Sequence, residues 1–310
     1  MDVSFGSLIT AVATPFDDSG EVDFGAFEEL VAWLIDHGSD GVVVSGSTGE
    51  SATLSDKEKI ELFRVAKRAA PKGYVLAGAT TNATKHSLEL VKEAEGVGVD
   101  GILAVTPYYN RPCQDGLIAH FSAILASTKL PVILYDIPIR TGRKIDHKTV
   151  VELKDRHSNL YGLKDASQTP GQAAALLREC SGGISLFSGD DSLTLPLLAV
   201  GGVGVISVAS HWASPVFEAM IDSFKAGDVK RAAQLNQALV PSYSFQSQEK
   251  APNPTPLKAV LEVMGLCKGI CRSPMLDPQD DLKKEARSLI EALVNEAQYL
   301  GVKLDESWDL

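Results

Sequence analysis

The stretch Leu8-Ile9-Thr10-Ala11-Val12-Ala13-Thr14-Pro15-Phe16-Asp17-Asp18 contains the first apolar run of the chain and separates two parallel α/β architectures. A doubly wound open sheet would follow its first strand with a glycine-rich turn that wraps a phosphate. This run leads instead into Thr14-Pro15-Phe16-Asp17-Asp18, which has no such turn. Seven further short apolar runs follow at intervals of roughly 20 to 35 residues. With the first at 8–13, they lie at 41–44, 74–78, 101–105, 132–135, 160–164, 184–187 and 204–208. Amphipathic stretches separate them, as at 24–35, 57–69, 87–95, 117–126 and 169–178. Strands that are apolar throughout, without in/out alternation, suit a parallel sheet covered on both faces. Eight such units in about 220 residues predict a (β/α)8 TIM barrel.

After about Phe224 the strand signal stops, and 229–240, 256–265 and 281–300 read as helices. In the last, Leu282, Ala286, Leu289, Leu293 and Leu300 share one face. The expected division is a catalytic barrel over 1–224 and a C-terminal helical region over 225–310.

Composition narrows the function classes. The 310 residues are 45% hydrophobic and 22% charged, with a net charge of -11. Nucleic acid needs a basic face that releases counterions, so this balance excludes it as the expected partner. Anionic membrane surfaces are disfavoured for the same reason. The least polar segment, 193–209, is broken by Pro196 and Gly201-Gly202, and a helix followed by a buried strand accounts for it better than a membrane span. The start, 1–5, lacks a basic region followed by an apolar one, so a cytoplasmic location is expected. Cys113, Cys180, Cys267 and Cys271 have neither zinc-ribbon nor thioredoxin spacing, and the last two fall in a helical stretch. Buried free thiols are the expectation. The six histidines form no HExxH pattern, and no metal or other cofactor is expected.

In such barrels the chemistry sits where strands end and βα loops begin. Those positions include Thr14, Ser45 to Glu50, Thr80-Thr81, Thr106 to Arg111, Tyr135 to Arg140, Lys164-Asp165, Ser188 to Asp191 and Ser207. Lys164 follows the apolar Leu160-Tyr161-Gly162-Leu163 directly. Facing a barrel interior, its ammonium would lose hydration and its pKa would fall. A neutral amine can then add to a ketone and form an iminium, an electron sink that makes the adjacent carbon acidic. The competing reading is a lysine that leaves the strand end for solvent.

Gly46-Ser47-Thr48-Gly49-Glu50 precedes a helix opened by the capping-box pattern Ser55-Asp56-Lys57-Glu58. Its small residues and hydroxyls suit a carboxylate; a plain tight turn is the alternative. The acidic Ser188-Gly189-Asp190-Asp191 speaks against a phosphorylated substrate, and the two aspartates read better as a helix cap than as metal ligands. Tyr135, and Tyr108-Tyr109 after the fourth strand, could relay protons with Ser47 as a link, or serve only as an aromatic lid. Arg140, in Ile137-Pro138-Ile139-Arg140-Thr141-Gly142, could clamp a carboxylate or make a structural ion pair.

Taken in order, GSTGESATL (46–54), TPYYNRP (106–112), YDIPIRTG (135–142), GLKDAS (162–167), SGDD (188–191), GVISV (204–208) and PNPTPLK (252–258) resemble the dihydrodipicolinate synthase / N-acetylneuraminate lyase family over nearly the whole chain. The resemblance implies that Lys164 forms a Schiff base with pyruvate and that Ser47 and Thr48 receive its carboxylate. It implies a relay of Tyr135, Ser47 and Tyr109, with Tyr109 reaching into a neighbouring subunit, so a homodimer at least and a homotetramer are expected. Gly189 and Ile206 are implied as substrate-binding positions. Arg140 would bind the carboxylate of aspartate-4-semialdehyde, giving 4-hydroxy-tetrahydrodipicolinate on the way to diaminopimelate and lysine. Alternatives are a sugar-acid aldolase, acting on N-acetylneuraminate or 2-keto-3-deoxygluconate, and a non-catalytic barrel. Ser47 departs from a frequent threonine and Asp136 from a frequent asparagine. In lysine-inhibited members the inhibitor pocket uses histidines and a glutamate; Asp56, Lys59 and His86 stand there instead, beside retained Ser51, Ala52, Asn82 and Tyr108. Weak or absent inhibition by lysine is the expectation.

Overall fold

The computed structural model of the chain describes residues 4–167 and 169–304. Residues 1–3, part of the segment on which the expectation of no signal peptide rests, and 305–310, the tail of the helical region, lie outside them. Eight strands, β1 (Leu8–Ala11), β2 (Gly41–Val44), β3 (Tyr74–Ala77), β4 (Gly101–Val105), β5 (Val132–Asp136), β6 (Leu160–Asp165), β7 (Ser185–Ser188) and β8 (Gly204–Ser207), form a closed barrel in sequence order. All pairings are parallel, and β1 closes on β8 with Ile9 beside Ile206. The helices of the barrel are α1 (Phe24–Asp36), α2 (Asp56–Ala69), α3 (Thr84–Val97), α4 (Gln114–Ser127), α5 (Pro138–Thr141), α6 (His147–Arg156), α7 (Pro170–Glu179), α8 (Thr194–Ala199) and α9 (Ser210–Lys225). Three more, α10 (Val229–Gln246), α11 (Thr255–Val263) and α12 (Asp280–Tyr299), follow the last strand.

The burial pattern explains why the strands read as unbroken apolar runs. One buried cluster, including Ile9, Val43, Leu76, Leu103, Ile133, Phe187 and Ile206, fills the barrel interior. The other, far larger, lies between strands and helices and extends into α10, α11 and α12. Each strand therefore feeds both faces. Local signals act as the sequence implied at α2, where Ser55 accepts from the Glu58 amide while the Glu58 carboxylate accepts from the Ser55 amide. On α12, Leu282, Ala286, Leu289 and Leu293 are buried, whereas Leu300 caps the helix half-exposed.

Two expectations need correction. Cys267 and Cys271 are not helical: α11 stops at Val263, and Gly265, at φ +72°, turns the chain into an irregular segment. Nor are the thiols uniformly buried, since Cys113 is exposed at the N-cap of α4 and only Cys271 is fully buried. Segment 193–209 is α8 followed by β8, and no helix among the described residues is long and apolar enough to cross a membrane.

Candidate active site

A cavity of about 320 Å³ opens at the carboxyl ends of the strands. Its wall includes Ser47, Tyr108, Tyr135, Arg140 and Asn253. Lys164 does not line it but adjoins it through Tyr135, whose ring centroid lies 4.2 Å from the Lys164 Nζ. Register explains the placement. Lys164 pairs with Tyr135 on one side and Phe187 on the other, and both belong to the interior cluster. The side chain therefore points inward and is only 5% exposed. Burial pushes its pKa down to about 8; Asp191 opposes that fall and Arg140 reinforces it. Moving the titration point from 10.5 to about 8 raises the neutral-amine fraction at pH 7 roughly 300-fold.

Tyr135 is buried as well, which pushes its phenol up to about 12, while Arg140 and a hydrogen bond with Ser47 act the other way. Across neutral pH it is a proton donor rather than a phenolate. Its neighbour Asp136 is pushed up to about 6 by burial, against the pull of Lys144, whose Nζ lies 3.3 Å from Oδ2. Gly189 packs on the lysine itself: a Cβ there would lie 3.0 Å from Lys164 Cγ and 2.9 Å from the Ala166 Cβ. Glycine is thus required for the amine to keep its place, which is a packing role rather than a contact with the cavity. Ile206, also absent from the wall, is 1% exposed in the barrel interior.

The loop after β2 carries the hydroxyls. Ser47 faces the cavity, while Thr48 is buried and its Oγ1 accepts from Asn253 Nδ2 at 3.2 Å. Gly49 presses against the loop that follows β1, with Val12 O 3.0 Å from where a Cβ would stand, and its carbonyl accepts from Thr14 Oγ1 at 2.7 Å. Arg140 rides on the one-turn helix α5 and is exposed, with Nη2 donating to Asn253 O at 3.3 Å. Of the five described non-glycine residues at positive φ, four (Ser45, Glu50, Tyr109 and Arg111) flank this cavity on the β2 and β4 loops. Such backbone costs energy and persists where surroundings over-determine it.

Tyr109 does not join the cavity: it is 91% exposed, with φ +72°. Tyr108 does, and burial pushes its phenol up. Asp190 caps the short 3-10 turn at 191–193, whereas Asp191, expected as a cap too, sits inside that turn and ties it to the loop after β8 and to α10. Asp190 Oδ1 accepts from the Ser192 amide at 3.0 Å, and Asp191 Oδ2 accepts from Val208 N, Ala209 N and Gln246 Nε2 at 3.1, 2.8 and 2.7 Å. No cluster of three or more metal-ligating side chains occurs among the described residues. The sequence reading missed the contribution of the helical region. Asn253 joins Thr48 to Arg140, Pro254, Pro274 and Met275 complete the wall, and Gln246 holds Asp191. A signal was present in Pro256-Leu257-Lys258-Ala259-Val260, where one cation stands in an otherwise apolar run.

Comparison with known proteins accords with this geometry. Residues 4–293 match the dihydrodipicolinate synthetase family. The 4-hydroxy-tetrahydrodipicolinate synthase of Moorella thermoacetica is 46% identical, covering 93% of this chain and 98% of that protein. The crystal structure of the Cyanidioschyzon merolae enzyme with lysine bound is 41% identical, has a TM-score of 0.90, and covers 93% of this chain and 98% of its own. The chloride-inhibited dihydrodipicolinate synthase of Acinetobacter baumannii, complexed with pyruvate, is 33% identical with a TM-score of 0.89, covering 94% and 99%. By closed barrel, strand-end lysine and full-length similarity, the chain belongs to the dihydrodipicolinate synthetase family.

Proposed function

We propose that the cavity condenses pyruvate with aspartate-4-semialdehyde to give 4-hydroxy-tetrahydrodipicolinate. The observation that carries this reading is the buried Lys164 amine against Tyr135, which shares the cavity wall with Ser47 and Arg140. The neutral amine adds to the keto carbon and expels water, giving an iminium. Loss of a methyl proton makes an enamine, whose carbon attacks the aldehyde and forms the new C–C bond. The amino group of the second substrate then displaces Lys164 from the iminium carbon and closes the ring. Ser47 and Thr48 receive the pyruvate carboxylate, Arg140 the carboxylate of the semialdehyde, and Tyr135 passes protons through Ser47. Gly189 and Ile206 shape the site behind the lysine. No cofactor enters, because the iminium is itself the electron sink.

Tyr109 supports a homodimer at least, and a homotetramer with it. A phenol 91% exposed on strained backbone gains a purpose if a second copy covers it and draws it into that copy's relay. Residues 1–224 are read as the catalytic barrel and 225–310 as the helical region, in a protein working in the cytoplasm. A coupled assay comparing aspartate-4-semialdehyde with sugar-derived aldehydes tests the reaction. A preference for sugar aldehydes would replace this reading with a sugar-acid aldolase, and absence of a borohydride-trapped pyruvate adduct on Lys164 would defeat both.

Feedback by lysine is read as weak or absent. His86 Nε2 sits 2.8 Å from Asp56 Oδ2, and Lys59 lies buried beside them, so an ammonium ligand meets a cation and a carboxylate already engaged. Isothermal titration with lysine, without pyruvate, should give no tight binding.

A further inference from the structure

Lys258 lies in α11 between Leu257 and Ala259 and is 0% exposed. A buried cation persists only where an anion and acceptors surround it. Its Nζ lies 3.0 Å from Glu50 Oε1, donates to Thr14 O at 2.7 Å and to Ile270 O at 2.6 Å, and rests 4.3 Å from the Phe16 ring centroid. The other Glu50 oxygen, Oε2, accepts from the Arg272 amide at 2.9 Å. The Arg272 guanidinium in turn holds Gly20 O, Thr53 O and Glu58. One lysine of the helical region thus joins the end of β1, the loop after β2 and the segment beyond α11.

The tie ends next to the candidate carboxylate site. Glu50, at φ +54°, closes the tight turn that holds Ser47 and Thr48: its amide donates to Ser47 O at 3.2 Å, and the Ser51 amide donates to Gly46 O at 3.2 Å. Displacing Glu50 therefore moves both hydroxyls. An apolar pair could fill the same volume with equal stability, but it would not fix the direction of the Glu50 side chain.

We propose that Glu50 and Lys258 are positioning residues, through which the helical region sets the Ser47–Thr48 turn for the carboxylate of the keto acid. Lys258 lies off the cavity wall, and Glu50, though on that wall, has its carboxylate turned to Lys258 and the Arg272 amide, so both act through the turn. The proposal rests on the reading that this turn receives the pyruvate carboxylate at Lys164, and it adds the tie that keeps the turn in place.

The test is borohydride trapping on the full-length chain carrying Glu50→Gln with Lys258→Met, which removes both charges together. Pyruvate is compared with acetone, a ketone without a carboxylate, and thermal melting is recorded alongside. In the double variant the half-saturating pyruvate concentration should rise about tenfold to a hundredfold, as expected of a misplaced binding group. Acetone trapping and the pH profile of trapping should stay as in the unsubstituted chain. Equal loss with both ketones, or a lowered melting temperature with unchanged half-saturation, would overturn the proposal. The milder Glu50→Asp, which keeps the charge but shortens the tie, should shift half-saturation in the same direction by less; no shift would count against it. If the unsubstituted chain traps no pyruvate on Lys164, the underlying reading fails and the proposal with it.

Discussion

The two ends of the barrel are built from the same eight strands and solve opposite problems. At the amino ends Phe5 is fully buried, its ring edge-on to Tyr74 at 5.3 Å and to Tyr161 at 4.8 Å, and the interior is plugged. At the carboxyl ends the interior column stops at Tyr135 and Lys164, and hydroxyls, an arginine and strained loops surround a cavity. One end gains stability from aromatic contact and burial; the other holds an amine that burial disfavours in its charged form. Charge thus meets the barrel interior at the carboxyl ends, where it is stabilised by groups arriving from α10, α11 and the segment after α11.

Lys164→Met should separate the two ends most sharply. Turnover should fall roughly 10⁴-fold, the scale on which loss of a covalent nucleophile acts. The fold should gain stability, because the buried amine releases its proton earlier than it would in the unfolded chain. That deficit, on the order of 3 kcal/mol, is fully present below about pH 8 and fades as pH rises toward 10.5. A lower melting temperature in this variant would show that the lysine is a structural partner. At the other end, Phe5→Ala should cost about 3–5 kcal/mol in denaturant unfolding. Its activity at temperatures where it remains folded should stay near that of the parent chain; a matching loss of turnover would break the division.

Arg140→Ala should lower kcat/KM for the semialdehyde roughly 10- to 100-fold, the range of a lost hydrogen bond to a charged group. Pyruvate trapping should keep its half-saturation. Equal damage to both substrates would remove the distinction between their carboxylate sites. The smallest effect is a pH profile. The rate of adduct formation should rise about tenfold from pH 6 to pH 7 and level off above the lysine pKa of about 8. A plateau beginning near 10 would mean that burial does not tune the amine.

What the sequence discloses differs between these layers. All eight strands announce themselves, because a chain buried on both faces has few polar interruptions, Thr10 in β1 being one. Their ends are less legible: Val12 and Ala13 continue the apolar run of β1 although they lie beyond the paired residues, buried beneath the loops. Ser47, Tyr135 and Lys164 are readable because the barrel brings strand ends together whatever their separation along the chain. Glu50 and Lys258 are 208 positions apart and follow no period, so each looks like an ordinary charge until its partner is known. The irregular segment after Val263 escaped for a related reason. Its apolar residues resemble a continued helix, and Gly265 alone marks the stop.

Closure of β1 on β8 has a consequence for synthesis of the chain. While the ribosome has delivered only the first seven strands, β1 and β7 both present unpaired edges, and segments such as Gly-Ile-Leu-Ala-Val in β4 have no charge to deter association. The sheet loses its edges only when residues 204–207 emerge, and Lys258 follows some fifty positions later. Chains released between β7 and β8 should therefore be found in aggregates, and chains stopped just after α9, although their sheet is closed, still expose the face of α9 that the last three helices cover.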